Sequence, residues 1–275
     1  MICAWKELLS ILPQNIRQEV DRLGREEAQQ LRLRLGNPAL LVTQNHRVPV
    51  GPELSTEMLH YVVNTACRYS PWTADTAASG YITAPGGHRI GICGEAVVKD
   101  GIMTGFRSIR SLHIRIARDF PGIAQKVARL DGNLLILGRP GSGKTTLLRD
   151  LIRQRAHNEN VCVVDERGEL FPMGMDPGPY ADVITGCAKP QGIDAVLRTM
   201  GPDTVAVDEI TAAADCDALL QAGWCGVRVL ATVHGADVRD LRSRRVYRPI
   251  LESGLFDTLV IMRQDKTYRM ERMVL

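Results

Sequence analysis

Apolar and polar residues alternate in the first half of the chain, which is typical of strands with one buried face. The alternation is clearest in QLRLRLG at 30–36 and in LHIRIAR at 112–118. Gly-Gly at 86–87 and Asp-Gly at 100–101 are turn dipeptides that flank the apolar segment HRIGICGEAVV. This pattern predicts an α+β region whose strands pair mostly antiparallel.

Helices are expected beside these strands. Apolar residues at helical spacing, interrupted by Pro13, predict short helices at the start of the chain. The stretch STEMLHYVVNTACRY predicts a longer helix over 55–69. A further strand, ALLVT, is expected after Pro38.

Unbroken apolar runs replace the alternation after Phe-Pro-Gly at 120–122. The runs NLLILG, VCVVD, TVAVD and RVLATV lie at 133–138, 161–165, 204–208 and 228–233. Strands that are buried on both faces, in a parallel sheet covered by helices, have this composition. We therefore predict an α/β domain over 121–275, preceded by a smaller α+β domain over 1–120.

Composition gives no reason to expect disorder or a membrane span. Hydrophobic residues make up 45% of the 275 residues and charged residues 24%, as in ordinary soluble proteins. A formal charge of +3 provides little attraction to nucleic acid or to anionic lipid. Charged residues interrupt the N-terminal apolar stretch, and no run approaches the ~18 apolar residues of a spanning helix. A cytoplasmic protein without a transmembrane segment is expected.

The segment GRPGSGKTT follows the first apolar run and fits the phosphate-binding pattern G-x-x-x-x-G-K-[ST]. Glycines let such a loop wrap closely around phosphates, and amides at the start of the next helix face the anion. Lys144 is expected to reach the β- and γ-phosphates, and Thr145 to ligate Mg²⁺. The predicted ATP-binding residues are Gly138, Arg139, Pro140, Gly141, Ser142, Gly143, Lys144, Thr145 and Thr146.

Acidic residues follow two other apolar runs. Asp208 ends TVAVD and would orient the Mg²⁺ ion, while Glu209 could act as the general base. Alternatively, both acids cap the helix that follows. Asp165 ends VCVVD, and Glu166 and Glu169 follow it closely. At least one of these acids could share either role, or they could form a loop that is salt-bridged internally by Arg167.

His234 ends the run RVLATVH. Ligands of doubly wound sheets lie beyond the carboxyl ends of the strands, so His234 could sense the γ-phosphate. A structural histidine is the alternative. Together these residues predict a Mg²⁺-dependent ATPase.

The same segments, in this order, resemble the stage III sporulation protein AA family, a relative of the secretion and pilus ATPases. The resemblance rests on GRPGSGKTTLLRDLIR, VCVVDERGEL, VLATVHG and the long connection DVITGCAKPQGIDAVLRTMGPDTVAVDEI. It implies a RecA-like P-loop domain in which VVDERGE is the acidic box, TVAVDE the Walker B strand and ATVHG the histidine box. Glu169, Glu166 and His234 thereby become catalytic candidates. Secretion ATPases usually have an arginine soon after the Walker B glutamate, whereas Ile210 and Thr211 follow here.

The resemblance also implies a hexameric ring in which arginines of the N-terminal domain lie near the nucleotide. Arg107 and Arg110 are the preferred catalytic candidates; the wider set is Arg89, Arg107, Arg110, Arg115 and Arg118. It further implies a mother-cell ATPase that docks on membrane proteins of the channel to the forespore. No nucleic-acid partner is expected.

Three other functions stay open from the sequence. A RecA-like motor acting on nucleic acid would need a basic surface, and RDLRSRRVYRP at 239–249 is a candidate, although it has few aromatic residues for stacking. Alternatively, this segment is a solvated helix face. A P-loop kinase and a nucleotide-binding scaffold without turnover complete the alternatives.

Overall fold

A computed structural model describes residues 4–24, 28–43, 46–67, 80–172 and 175–273. The chain divides into two compact units, Met1–Asp119 with Pro172–Met175, and Phe120–Phe171 with Asp176–Leu275. The assignment of residues 1–120 and 121–275 to two domains stays a prediction.

Within its described residues, the first unit contains three α-helices and a six-stranded antiparallel sheet. The helices are α1 (Trp5–Ser10), α2 (Gln14–Gly24) and α3 (Thr56–Cys67). The strands are β1 (Gln30–Arg34), β2 (Pro38–Val42), β3 (Arg47–Glu53), β4 (Tyr81–Ala84), β5 (His88–Lys99) and β6 (Ile102–Arg115). They lie in the order β3-β2-β1-β6-β5-β4.

The alternating pattern accounts for this sheet. Leu31 and Leu33 of β1 are buried while Arg32 and Arg34 are exposed, so one face of the strand covers the core. Each pair of neighbouring strands in the sheet runs antiparallel. The predicted helix over 55–69 extends from Thr56 to Cys67, and residues 68–69 lie outside the described residues.

Two strands differ from the prediction. β6 begins at Ile102 instead of residue 112, because Asp100 and Gly101 have φ angles of 51° and 77° and close a long hairpin with β5. β3 was not predicted, since Pro49 and Pro52 lie within it. It is an edge strand, where the missing proline N–H groups break no interior ladder.

The second unit contains a seven-stranded mixed sheet. Its strands are β7 (Leu134–Gly138), β8 (Val161–Asp165), β9 (Ala181–Thr185), β10 (Thr204–Val207), β11 (Arg228–His234), β12 (Thr258–Met262) and β13 (Tyr268–Arg272). Its helices are α4 (Gln125–Ala128), α5 (Lys144–Arg155), α6 (Lys189–Thr199), α7 (Ala213–Trp224), α8 (Val238–Ser243) and α9 (Arg248–Glu252). The strand order is β13-β12-β7-β11-β10-β8-β9.

The four predicted central strands pair in parallel, so their carboxyl ends meet at one edge of the sheet. Alternate residues of β7 point to opposite faces. Leu135 and Leu137 pack with residues of α6 and α7, whereas Leu134 and Ile136 pack with residues of α5. Helices therefore cover both faces, as the unbroken apolar runs predicted.

Strands β9, β12 and β13 were not predicted. β9 and β13 lie at the two edges of the sheet. All their residues are partly or fully exposed, so neither strand has a clear apolar run. β13 is antiparallel to β12 and adds an edge to the otherwise parallel sheet. Among the described residues, no helix combines the length and the apolar character needed to cross a bilayer.

Candidate nucleotide-binding site

The predicted phosphate-binding loop connects β7 to α5 at the carboxyl edge of the sheet. Gly141 and Gly143 have φ angles of 74° and 99°, which residues with a Cβ rarely adopt. A Cβ on Gly138 would lie 2.5 Å from the Ser142 hydroxyl and 2.9 Å from Met262 Cβ. Each glycine is thus required by geometry, as expected of a loop that folds around a ligand.

The loop leaves polar groups ready for an anion. Gly143 is the N-cap of α5 and no side chain caps this helix, so the first N–H groups of a 12-residue helix are left for a ligand or water. The Ser142 hydroxyl is buried without a hydrogen-bond partner among the described residues. Amides, a helix N-terminus and an unpaired hydroxyl in one loop fit phosphate binding.

The turn between β12 and β13 lies against the outside of this loop. Gln264 Nε2 donates to the carbonyl of Pro140 at 3.5 Å, and the Lys266 ammonium contacts the carbonyl of Gly141. The carbonyls of Pro140 and Gly141 are thus bonded to side chains of this turn. The amide of Gly141 points opposite to the carbonyl of Pro140, because the peptide between them is trans.

Lys144 begins α5 and is 5% exposed. Its Nζ donates to the carbonyl of Arg139 at 3.2 Å and to His234 Nδ1 at 3.0 Å. Burial lowers the pKa of the Lys144 ammonium, while the carboxylates of Asp208 and Glu209 oppose that shift. The negative charge of a bound phosphate would likewise stabilise the ammonium form.

His234 connects Lys144 to Glu209. Its Nε2 lies 3.0 Å from Glu209 Oε1. An ammonium group can only donate, so Nδ1 accepts from Lys144 and Nε2 carries the proton that is donated to Glu209. The histidine therefore has a defined tautomer within a chain of polar contacts.

Asp208 follows β10 and lies between two hydroxyl groups. Thr145 Oγ1 donates to Asp208 Oδ2 at 2.8 Å, and Thr232 Oγ1 donates to Oδ1 at 2.5 Å. The carboxylate and the Thr145 hydroxyl thus form a pair of adjacent oxygen atoms, which are the donors that Mg²⁺ prefers.

Glu209 has a φ angle of 57°, in the left-handed region that non-glycine residues seldom occupy. Its amide donates to Thr232 Oγ1 at 2.8 Å. Its Oε2 lies 3.3 Å from Arg167 Nη1, while Oε1 faces His234. Helix α7 begins at Ala213, so capping of that helix by Asp208 and Glu209, the alternative left open by the sequence, does not occur.

The second acidic segment is arranged differently. Asp165 ends β8, and its carboxylate accepts N–H bonds from Glu169, Leu170 and Phe171 at 3.0, 2.8 and 3.3 Å. Burial raises the pKa of Asp165, the hydrogen bonds from Leu170 and Phe171 oppose the rise, and Asp208 adds to it. Asp165 therefore organises its own loop.

The two glutamates of this loop have separate surroundings. Glu166 Oε2 lies 2.6 Å from the Nζ of buried Lys189, which also lies 3.8 Å from Asp215 Oδ2. Glu169 is held through its backbone, since its carbonyl accepts from Arg149 Nη2 at 2.9 Å. In the described contacts, Glu209 is linked through His234 to Lys144 of the predicted phosphate-binding loop, whereas Glu166 pairs with Lys189.

Four of the five candidate arginines of the first unit lie on its long hairpin, and Arg118 follows the end of β6. Arg107 and Arg110 are exposed on β6, and Arg107 pairs with Glu95 at 2.9 Å. The Arg89 guanidinium lies 4.3 Å from the ring centroid of Tyr81. A role for these side chains at a nucleotide stays a prediction.

The arginines of the basic segment 239–249 are all exposed. Arg244 pairs with Asp240 at 2.9 Å and Arg248 with Glu252 at 3.7 Å. Two of the five positive charges are therefore locally compensated, as in a solvated helix surface.

Sequence reasoning missed Thr232 and Lys189, and it placed Arg167 only in a salt bridge within its own loop. Thr232 is a wholly buried hydroxyl within RVLATV, and a lone polar residue in a buried strand was the available signal. Arg167 and Lys189 contact their carboxylate partners only because β8, β10 and the starts of α6 and α7 lie together. No local pattern predicts these pairs.

Two solved structures have a similar fold. The Legionella pneumophila ATPase DotB matches with a TM-score of 0.59 and 19% identity, over 89% of this chain and 76% of that chain. The pilus retraction motor PilT with bound ADP matches with a TM-score of 0.63 and 13% identity, over 94% of this chain and 78% of that chain. The predicted fold class, a RecA-like α/β domain after a smaller α+β region, is confirmed.

The sequence comparison is more specific. Stage III sporulation protein AA of Bacillus subtilis (strain 168) is 31% identical over 281 residues, covering 94% of this chain and 91% of that protein. A family model described as "Sporulation stage III, protein AA" matches residues 4–271. The resemblance expected from the motifs is confirmed, and the chain belongs to the family Sporulation stage III, protein AA.

Proposed function

We propose that this protein binds Mg-ATP between its phosphate-binding loop and the acidic strand end, and hydrolyses it as a secretion-type ATPase. The observation that carries the proposal is the set of contacts joining Lys144, Thr145, Asp208, Glu209 and His234 at one edge of the parallel sheet. These side chains come from two strand ends, those of β10 and β11, and from the start of α5, as an NTP site requires.

The phosphates would be held mainly by the main chain. The amides of the loop residues, 138–146, and the N-terminus of α5 provide partial positive charge, and Lys144 adds a full charge. Lys144 now donates to His234 and to the carbonyl of Arg139. A bound γ-phosphate would replace these neutral acceptors with a stronger, charged one.

The residues for magnesium are Thr145 and Asp208. When bound, Mg²⁺ would neutralise charge on the β- and γ-phosphates. Thr145 Oγ1 and Asp208 Oδ2 are 2.8 Å apart and fit a shared ion or its water shell. Thr232 fixes the other Asp208 oxygen and thereby orients the carboxylate.

Glu209 is the proposed general base. It follows Asp208 directly and is held by His234 and Arg167, so its carboxylate is positioned to accept a proton from a water molecule beyond the γ-phosphate. His234 would respond to phosphate binding, because Lys144 would give up its hydrogen bond with His234 and pair with the phosphate. Glu166 and Glu169 remain the alternative bases.

We further propose a hexameric ring in which Arg107 or Arg110 approaches the nucleotide of a neighbouring subunit. Membership of a sporulation family supports work on the channel between mother cell and forespore, through its membrane proteins. The protein would act in the cytoplasm, at the membrane only through partners. Ring formation is tested by measuring the mass of the protein with a non-hydrolysable ATP analogue.

ATP binding and turnover test the central proposal. Titration calorimetry should detect Mg-ATP binding to the wild type and to Lys126→Ala, which changes an exposed lysine of α4, and none to Lys144→Ala. Turnover should require Mg²⁺ and should not rise when DNA is added. Wild-type levels of hydrolysis in Lys144→Ala would refute the site, and steep, salt-sensitive stimulation by DNA would favour the nucleic-acid motor.

A further inference from the structure

Arg167 contacts Glu209 because their strands are neighbours. β8 and β10 pair in parallel with Val164 opposite Val207, so the residues after each strand emerge side by side. Arg167 Nη1 lies 3.3 Å from Glu209 Oε2. The position after the Walker B glutamate has no arginine, yet a guanidinium stands beside that glutamate, supplied by another strand end.

The backbone that carries Arg167 is fixed. Residues 165–168 form a tight turn in which the amide of Gly168 donates to the carbonyl of Asp165 at 3.1 Å. Gly168 adopts the left-handed φ of 64°, and the Asp165 carboxylate holds the amides that follow. Movement of Arg167 would therefore be confined to its side chain.

The side chain itself is accessible. Arg167 is 59% exposed and Glu209 31% exposed, so water screens their ion pair and a stronger anion can replace it. The other cations near this loop are buried: Lys189 lies between Glu166 and Asp215, and Arg149 donates to backbone carbonyls. Arg167 is thus the cation of this loop that could leave its carboxylate partner, Glu209, and pair with another anion.

We propose that Arg167 is a phosphate-binding residue that acts within its own subunit and distinguishes ATP from ADP. Without nucleotide its guanidinium neutralises Glu209; with ATP it pairs with the γ-phosphate and leaves Glu209 Oε2 to accept the proton of the attacking water. Arginine suits this exchange because its planar fork donates paired hydrogen bonds to phosphate oxygens. The inference rests on the proposed ATPase function.

The test compares the affinity for a non-hydrolysable ATP analogue with that for ADP, both with Mg²⁺. Arg167→Ala should weaken analogue binding by roughly tenfold or more and leave ADP binding within about twofold, because ADP has no γ-phosphate. Arg167→Lys should retain part of the difference. Arg198→Ala is the matched control, since Arg198 is an exposed arginine paired with Asp194 in the same unit, and it should behave as wild type.

A second background separates phosphate binding from a structural role. If Arg167 only positions Glu209, then Arg167→Ala should have no further effect on nucleotide affinity in a Glu209→Gln protein. We expect the loss of analogue affinity to persist there. This inference alone is overturned if Arg167→Ala keeps the wild-type ratio of analogue affinity to ADP affinity while wild type and Arg198→Ala bind ATP normally. Absence of all nucleotide binding by wild type overturns the proposed function as well.

Discussion

Thr232 links the two acidic residues of the site through one hydroxyl group. Its Oγ1 donates to Asp208 at 2.5 Å and accepts the amide of Glu209 at 2.8 Å, and the side chain is wholly buried in β11. The strand next to β10 therefore fixes both the carboxylate proposed for magnesium and the backbone of the proposed base.

Replacing Thr232 by valine keeps the shape and removes this hydroxyl. The Asp208 oxygen and the Glu209 amide, which are partly buried, would each lose a partner, at a cost of about 1 kcal/mol per hydrogen bond. We expect ATP turnover to fall by roughly ten- to a hundredfold and the Mg²⁺ requirement to rise. Thr232→Ser, which keeps the hydroxyl, should stay within a few-fold of wild type, and equal losses in both variants would contradict the assignment.

Glu209→Gln should separate binding from hydrolysis. The amide keeps the size of the side chain but cannot accept a proton, so ATP binding should persist while turnover falls by roughly 10²–10⁴-fold. Filter binding and phosphate release measure the two properties. The control is Glu252→Gln, which changes an exposed glutamate of α9. Normal turnover in Glu209→Gln would move the base to Glu169 or Glu166.

Lys189 is expected to be essential for stability. It is 5% exposed and lies between Glu166 and Asp215, so Lys189→Met would leave the buried Asp215 carboxylate without its cation. We expect the free energy of unfolding in urea to fall by about 3–5 kcal/mol. Adding Asp215→Asn should recover part of the loss. The same loss from Lys126→Met, on the surface of α4, would show that the burial of Lys189 is irrelevant.

His88 should make the first unit sensitive to acid. Its Nδ1 accepts the amide of Ala117 at 3.1 Å and its Nε2 donates to the carbonyl of Ala4 at 2.7 Å, an arrangement available only to the neutral ring. Burial lowers the pKa of His88, although the Ala4 carbonyl and Glu7 oppose the shift. The folded pKa is therefore below the unfolded value of about 6.5.

The lowered pKa of His88 determines how stability changes with pH. The contribution of His88 to stability is present above pH ~6.5 and is lost as the pH falls through the folded pKa, because protonation places a second N–H against the Ala117 amide. Urea midpoints between about pH 5 and pH 8 should fall less steeply with acid in His88→Gln than in wild type. His60→Gln, which changes an exposed histidine of α3, should keep the wild-type slope. Identical slopes in all three proteins would contradict the prediction.

Local patterns predicted the central parallel strands, although β12, which also buries four of its five residues, was missed. β7, β8 and β10 are apolar runs whose burial needs no knowledge of the rest of the chain. Among the strands that were not predicted, β3 contains two prolines and lies at a sheet edge, while β9 and β13 are edge strands without an apolar run. The phosphate-binding loop was visible because its glycines are required by the backbone itself.

The site was harder to complete, because its pairs depend on which strands are neighbours. Each acid could be placed at a strand end, but the order β7-β11-β10-β8 decides that Thr232 meets Asp208 and that Arg167 meets Glu209. Sequence alone favoured Glu209 as the general base but did not exclude Glu169 or Glu166. Their different cations and hydroxyl partners distinguish them only after folding.

At Glu209, the left-handed backbone conformation lowers stability, while the carboxylate is proposed to be needed for catalysis. A glycine would adopt the φ of 57° without the strain of about 1–2 kcal/mol that a side chain incurs there, yet it would remove the carboxylate. A search for more stable variants would therefore tend to select residue 209 for replacement, whereas the proposed role of Glu209 as the general base predicts that a screen for activity rejects such variants. Engineering that raises the melting temperature of this protein must leave this strained residue alone.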